Sequence, residues 1–376
     1  MHTQHKTHTH STQYPESVKT SLASALTLRF LSGRFYRDAR NFCVNLLLNY
    51  PDDCRANCAY CGLARSRPRG EDSFIRVDWP VLRTGDVLDR LSRYRDTVRR
   101  ICISTVFHPR AVEDTINLAG AVRAAAVDVP LSVLITPGLF SLGELGELKI
   151  LGADYLGVGL DAASERAFEL TRGSRVRGPL SWADYLDTLR GGVEVFGKKR
   201  VSCHIMVGIG ETDRELAECF FQVHAMGVLI HLFSFYPEPH SRMSRRKRPA
   251  LKRFRRAQLL ACLVERHLIE QPDVEFDPRG RLIRIKDSVK EIVEEAIKDG
   301  RPFVTGGCPD RDGDIGCNRP FGSYRPGESF RDFPFHPAPE DLGRIKRELR
   351  LDELFGAGTK TGRRRRPIPR PTSIVE

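Results

Sequence analysis

The chain has 376 residues, 40% of them hydrophobic and 29% charged, with 31 Gly, 23 Pro and 10 Cys, a mixture that supplies a sizeable buried core. No run approaches the roughly 18 uninterrupted apolar residues of a membrane span, and the polar N-terminus does not read as a signal peptide, so a soluble, non-exported, cytoplasmic protein is expected. Ten cysteines are too sparse for a disulfide scaffold, and the net charge of +12 is carried by two blocks rather than by the whole surface.

Residues 1–20 are rich in His, Thr and Ser, lack apolar periodicity and read as a disordered arm. Strand-like runs follow at 42–50, 101–107, 131–136, 155–160, 200–207 and 229–236, with helical periodicity between them. Val87, Leu88, Leu91, Tyr94 and Val98 form one apolar stripe at 3.6-residue spacing. Thr212 with Glu215, and Ser288 with Glu291, spell capping boxes, and Gly300 supplies a C-terminal stop. The first basic block, residues 242–256, holds nine basic residues and no acid; the second, residues 360–376, holds six and one. Local basic patches of this kind bind acidic partners.

Six strands alternating with helices imply a parallel sheet, because parallel neighbours need crossover connections. The expected fold is therefore α/β: a (β/α)6 partial TIM barrel or full barrel over residues 21–300, a cysteine-containing extension over 301–355, and a disordered basic tail over 356–376. Reactive groups belong at the C-terminal ends of such strands.

Just beyond the first predicted strand lies Cys54-x3-Cys58-x-Tyr60-Cys61. Three thiolates on one tight loop suit an iron–sulfur cluster, whose irons take soft sulfur ligands. A structural zinc site wants a fourth Cys or His at short spacing, and none occurs before Cys102. Three ligands on a four-iron cluster leave one iron open, which is a catalytic feature.

This spacing, after strand one of a six-strand α/β pattern, resembles the radical S-adenosylmethionine superfamily. The resemblance implies a 4Fe-4S cluster whose open iron holds S-adenosyl-L-methionine and cleaves it to a 5′-deoxyadenosyl radical. Gly208-Ile-Gly210-Glu211-Thr212 resembles a fifth-strand element of the biotin synthase and lipoyl synthase branch, and Gly159-Leu-Asp161-Ala-Ala-Ser-Glu its fourth-strand element. By that resemblance Gly208, Gly210, Glu211 and Asp161 hold the cofactor and Tyr60 packs beside its adenine. Read from the residues alone, Asp161 is also a candidate helix N-cap. Ser104 stands where the superfamily often carries Gly-Gly-Glu, and is the cofactor-contact candidate there.

Sulfur insertion needs a sulfur source, which in this branch is a second, sacrificial iron–sulfur cluster. Cys102 fits one biotin-type ligand position, but Cys203 is one residue out of step and 133–135 is apolar, so that ligand set is incomplete. The segment from Thr305 through Cys308-Pro and Cys317-Asn-Arg-Pro to Glu328 resembles the ending of the two-component lipoyl synthases. With Cys43, the resemblance assigns Cys308 and Cys317 to an auxiliary cluster over the barrel mouth. It covers residues 42–328 and implies several partners: an octanoylated lipoyl-carrier protein as substrate, a second radical SAM protein, and an electron donor such as ferredoxin or flavodoxin. Arg242, Arg245 and Arg246 would then face an acidic carrier domain. Three alternatives stay open. One is a biotin synthase or other sulfur-inserting relative, including a tRNA-modifying enzyme. Another is an RNA-binding protein with a structural metal loop, although nucleic acid is not the expected partner. In the third, Cys308 and Cys317 are zinc ligands or idle thiols and Cys43 is core.

Overall fold

The computed structural model describes residues 14–68, 73–74, 77–321 and 329–355. Its strands in chain order are β1 Ser17–Thr20, β2 Cys43–Leu48, β3 Ser73–Phe74, β4 Val77–Asp78, β5 Val81–Arg83, β6 Arg100–Ser104, β7 Leu131–Ile135, β8 Ala153–Asp161, β9 Val201–Val207, β10 Leu229–Ser234, β11 Val274–Phe276 and β12 Leu282–Ile285. Its helices are α1 Leu22–Thr27, α2 Thr84–Tyr94, α3 Ala111–Ala125, α4 Leu142–Ile150, α5 Glu165–Thr171, α6 Trp182–Phe196, α7 Asp213–Ala225, α8 Leu251–Glu265, α9 Lys290–Ala296 and α10 Pro339–Leu349.

The six strands expected from sequence pair in parallel as β2-β6-β7-β8-β9-β10, each reached by a helical crossover. Their aliphatic runs fit strands covered on both faces, with Val44, Ile101, Ile103, Val133, Leu156, Val158 and Ile205 fully buried. The full sheet reads β10-β9-β8-β7-β6-β2-β1-β5, with β1 antiparallel to both neighbours. Among the described residues no ladder joins β10 to β5, so the sheet is open.

Strand β1 corrects the expectation of an arm through residue 20. Val18 is fully buried and lies opposite both Leu48 and Leu82. Four residues are too few to show a period, and pairing with distant strands holds them instead. Residues 1–13 and 356–376 lie outside the described residues.

Local signals at the helix starts fare unevenly. Thr212 and Glu215 form the expected capping box, as do Ser141 with Glu144 and Ser181 with Asp184. Ser288 does not cap: it falls inside a 3-10 turn, Asp287–Val289, and α9 starts at Lys290 without a side-chain cap bond. Gly300 adopts φ 74°, the left-handed geometry of a stop.

The C-terminal extension packs on α8 through Arg255, which is fully buried. Its guanidinium donates to Glu348 Oε2 at 2.9 Å, Phe330 O at 2.7 Å and Arg331 O at 2.5 Å. The loop from Thr305 to Asn318 then crosses beneath the N-terminal ends of the parallel strands. Arg100, first residue of β6, donates to Pro309 O at 2.5 Å, and Asn318 Oδ1 accepts from Phe42 N–H, just before β2, at 3.1 Å.

Candidate active site

The loop after β2 is pinned by backbone amides from several crossovers. Ala59 N–H donates to Thr171 O at 2.7 Å, Arg55 N–H to Phe107 O at 2.8 Å, and Met243 N–H to Ala59 O at 3.1 Å. Tyr50 stacks on His108 with ring centroids 3.7 Å apart and donates to Asp114 Oδ2 at 2.9 Å. His108 Nε2 lies 3.1 Å from Asp52 Oδ1. Cys54 Sγ accepts from Phe107 N–H at 3.3 Å, and Cys61 Sγ from Leu63 N–H at 3.3 Å. Burial pushes the thiols of Cys54, Cys58 and Cys61 up, and mutual repulsion adds to this at Cys58 and Cys61. Displacing those protons takes a bound cation, which is what iron supplies.

Beside the loop, Asp161 ends β8 with φ 62°. Tyr60 Oη donates to Asp161 Oδ2 at 2.5 Å. Arg172 Nη1 donates to the same carboxylate oxygen and to Gly159 O, and reaches Tyr60 Oη at 3.3 Å. The guanidinium also lies 4.7 Å from the Tyr185 ring centroid. Asp161 is not the N-cap of α5; Ser164 is, accepting from Ala167 N–H at 3.2 Å. Sequence reasoning missed Arg172, whose position depends on a fold that buries it against Asp161.

Gly208, Gly210 and Glu211 build a turn rather than the cavity wall. The Glu211 carboxylate accepts from Gly208 N–H at 2.7 Å, Ile209 N–H at 2.9 Å and Gly210 N–H at 3.0 Å, and pairs with Arg253 at 2.9 Å. Converging amides make an anion nest, and here the chain fills it with its own carboxylate. Gly208 needs its φ of 111° and its missing side chain, since a Cβ would lie 2.8 Å from Pro249 Cδ.

Tyr60, Ser104, Asp161 and the three loop thiols line one cavity of about 310 Å³, within the range of small-molecule sites. Cys102, Cys308 and Cys317 line the same cavity. Cys43 opens β2 opposite Arg100, and Asn45 Nδ2 donates to its sulfur at 3.5 Å. A hydrogen bond joins Cys43 to Cys317, pushing the first thiol up and bringing the second down to about 6. Burial pushes Cys102 up, and the nearby charges of Cys317 and Cys308 push it the same way. Cys102 was expected only in a biotin-type set; it joins the three auxiliary candidates because β6 carries it beside Ser132.

This second nest corrects the placement over the barrel mouth. Cys43 is the first residue of β2, and Arg100, which meets Pro309, is the first of β6, so the nest lies at the opposite, N-terminal end of the strands. Cys203 is fully buried and does not line the cavity; burial, then the Cys219 thiol of α7, pushes its thiol up. The Arg-Pro-Gly-Glu run at 325–328 lies outside the described residues.

The basic block divides in two. Lys252 and Arg256 reach Glu353 and buried Arg255 reaches Glu348, which braces the extension, while Arg253 pairs with Glu211 and Asp213 at the start of α7. Arg242, Arg245, Arg246 and Lys247 are exposed on a turn outside the cavity, although Arg246 Nε donates to Gly208 O at 2.8 Å. Their segment touches the loop through Met243 and through Arg67, which donates to Pro239 O at 3.0 Å.

Among the described residues no three His, Cys, Asp or Glu side chains converge on one ion-sized point. The thiols stand along cavity walls instead, and a donor set of separate thiolates fits a cluster that takes one per iron.

Residues 48–223 match the family model described as the Radical SAM superfamily. Biotin synthase of Bordetella pertussis is 26% identical over 193 residues, covering 50% of each chain. Biotin synthase of Nitrosomonas eutropha is 26% identical over 213 residues, covering 55% of each. The chain thus spans about half the length of the curated relatives it matches. Among solved structures, the FeFe-hydrogenase maturase HydG from Carboxydothermus hydrogenoformans aligns at TM-score 0.47 and 14% identity, covering 90% of this chain and 72% of that one. Methylornithine synthase (PylB) aligns at TM-score 0.45 and 12% identity, covering 90% and 88%. No helix among the described residues is long and apolar enough to cross a membrane.

Proposed function

We propose that the protein is a radical S-adenosylmethionine enzyme that inserts sulfur into a protein-bound octanoyl chain, as a component of a lipoyl synthase. The observation that carries this reading is the pair of thiol nests sharing one cavity: Cys54, Cys58 and Cys61 in one, and Cys102, Cys308 and Cys317 in the other, with the free thiol of Cys43 in hydrogen-bond contact with Cys317. Two clusters there, with S-adenosyl-L-methionine, supply a hydrogen-abstracting radical and the sulfur. Cys54, Cys58 and Cys61 hold the first, and the Tyr60–Asp161–Arg172 network presents a polar wall to the cofactor. Cys43, Cys308 and Cys317 hold the second, with Cys102 beside them. In the same cavity wall, Leu134, Leu180, Met206 and Phe233 offer an alkyl chain an apolar surface. The exposed turn with Arg242, Arg245 and Arg246 suits an acidic carrier domain. A second radical protein and a ferredoxin or flavodoxin complete the system.

The test is anaerobic reconstitution. About eight irons per chain, formation of 5′-deoxyadenosine under reduction, and thiolation of an octanoyl-lysine peptide are expected. A biotin synthase activity is the second reading, favoured by Cys102 in β6 and by the 26% identity to biotin synthases. Conversion of dethiobiotin with an untouched octanoyl peptide would select it.

A further inference from the structure

Two loops meet beside the first thiol nest, residues 54–68 and 171–180, and together they contain six arginines and no acid. Two of the six turn inward: Arg67 is buried against Gly62 O and Pro239 O, and Arg172 lies against Asp161. Arg55, Arg65, Arg175 and Arg177 are exposed. Arg65 gathers them into one rim. Its N–H donates to Ala56 O at 3.0 Å, its Nη1 to Arg55 O at 3.3 Å and its Nη2 to Arg177 O at 2.8 Å. Asn57 Nδ2 donates to Val176 O at 2.7 Å and joins the same two loops again.

The charge of this rim is only partly offset. Asp52 pairs with Arg55 at 3.0 Å, and Glu169 accepts from Ser174 N–H at 2.9 Å and from its hydroxyl at 2.6 Å. Arg65, Arg175 and Arg177 carry no ion pair among the described residues. The rim also has a defined place. Cys54 and Ala56 line the cavity, whereas Arg55 between them, with Arg65, Arg175 and Arg177, stands outside it. The peptide that carries Cys54 thus has the cavity on one side and the cations on the other. A substrate must enter the cavity, which a partner seated on this rim does not do. An electron has only to cross that peptide.

We propose that the rim of Arg55, Arg65, Arg175 and Arg177 is the docking surface for an acidic ferredoxin that reduces the first cluster. The inference rests on the radical reading of the first nest. One electron leaves the ferredoxin, which is oxidised by one equivalent, and enters the cluster, which is reduced by one. No bond forms or breaks and no proton moves. Opposite charges steer such partners together, and salt weakens the steering. The turn with Arg242, Arg245 and Arg246 meets the same loop elsewhere, where Met243 N–H reaches Ala59 O, so a carrier domain and a ferredoxin use separate surfaces.

The experiment measures kcat/KM for reduced ferredoxin at low salt, read as 5′-deoxyadenosine formed by the reconstituted full-length protein. Arg175→Glu with Arg177→Glu should lower it by about tenfold or more. Added salt should lower the wild-type value and narrow that gap, and Arg175→Lys with Arg177→Lys should keep the wild-type value. With excess dithionite, wild type and the glutamate variant should form equal amounts of 5′-deoxyadenosine. An unchanged kcat/KM in the glutamate variant overturns the proposal, as does a loss that salt leaves untouched. If that variant loses iron, Arg175→Gln with Arg177→Gln decides: a lower kcat/KM supports the proposal and an equal one overturns it. Loss of tRNA binding with unmoved ferredoxin kinetics assigns the rim to nucleic acid and overturns it too. So does a wild type that accepts electrons from flavodoxin and none from ferredoxin. A wild type that forms no 5′-deoxyadenosine even with dithionite sinks the radical reading itself, a result distinct from all of these.

Discussion

The two thiol nests are built by opposite strategies. The first takes Cys54, Cys58 and Cys61 from one short loop, and the rest of the fold holds that loop with the backbone N–H groups of Phe107 and Met243 and the carbonyls of Phe107 and Thr171. The second takes Cys43 and Cys102 from two strands and Cys308 and Cys317 from a distant loop, joined by polar side chains: Arg100, Asn318 and Ser132. A contiguous nest can persist when tertiary packing loosens. A composite nest exists only while the whole sheet and its C-terminal floor are closed.

Removing one nest and then the other breaks the comparison most directly. Replacing Cys54, Cys58 and Cys61 with alanine should abolish 5′-deoxyadenosine formation and lower the iron content from about eight to about four per chain. Replacing Cys43, Cys308 and Cys317 should remove the same amount of iron, leave 5′-deoxyadenosine formation in place and abolish thiolation. Loss of S-adenosylmethionine cleavage in the second variant would contradict the division of labour.

Arg172→Met should be the costliest single change beside the first nest. It leaves the partly buried Asp161 carboxylate without its cation, a cost of about 3 kcal/mol measurable by denaturant unfolding. Asn318→Ala should cost less, about 1–3 kcal/mol, because it removes donors to Arg40 O and Pro334 O and the acceptor of Phe42 N–H. Its sharper signature is selective: iron should leave the second nest under mild chelation while the first keeps its own. Simultaneous loss from both would erase the proposed contrast between local and composite sites.

The smallest effect is a pH dependence at the N-terminal end of β10. Glu265 accepts from Ile230 N–H at 2.6 Å, and burial pushes its carboxyl from 4.5 up to about 7. The folded protein therefore holds that proton more tightly than the unfolded chain does. Stability should decline as pH rises from about 4.5 to about 7 and level off beyond. Glu265→Gln should flatten that decline, seen as Tm at pH 5 and pH 8; an unchanged slope would remove Glu265 as its source.

What the sequence made legible follows the same division. The six parallel strands carry their burial in aliphatic runs, and the Cys54–Cys61 loop is contiguous, so both can be read locally. Cys43, Cys308 and Cys317 became candidates only through a family resemblance, since nothing in their spacing says that they meet. Arg100 and Arg172 left no local signal: an arginine is exposed by default and becomes a buried or paired cation only in three dimensions. The basic block shows the same limit from the other side, because Lys252, Arg253, Arg255 and Arg256 are spent on ion pairs with the extension, Glu211 and Asp213. Gly208 and Gly210 are assigned to the cofactor by resemblance alone; what the structure adds is that the turn they allow closes on Glu211.

The floor beneath the strands also imposes a schedule on biosynthesis. Emerging from the ribosome, the polypeptide presents Cys61 early, whereas Cys308, Cys317 and the Asn318 latch arrive only after all the parallel strands are out. A translation product halted before residue 308 would carry the Cys54–Cys61 loop, Cys43 and Cys102 but lack Cys308 and Cys317, so the second thiol nest is the one completed later.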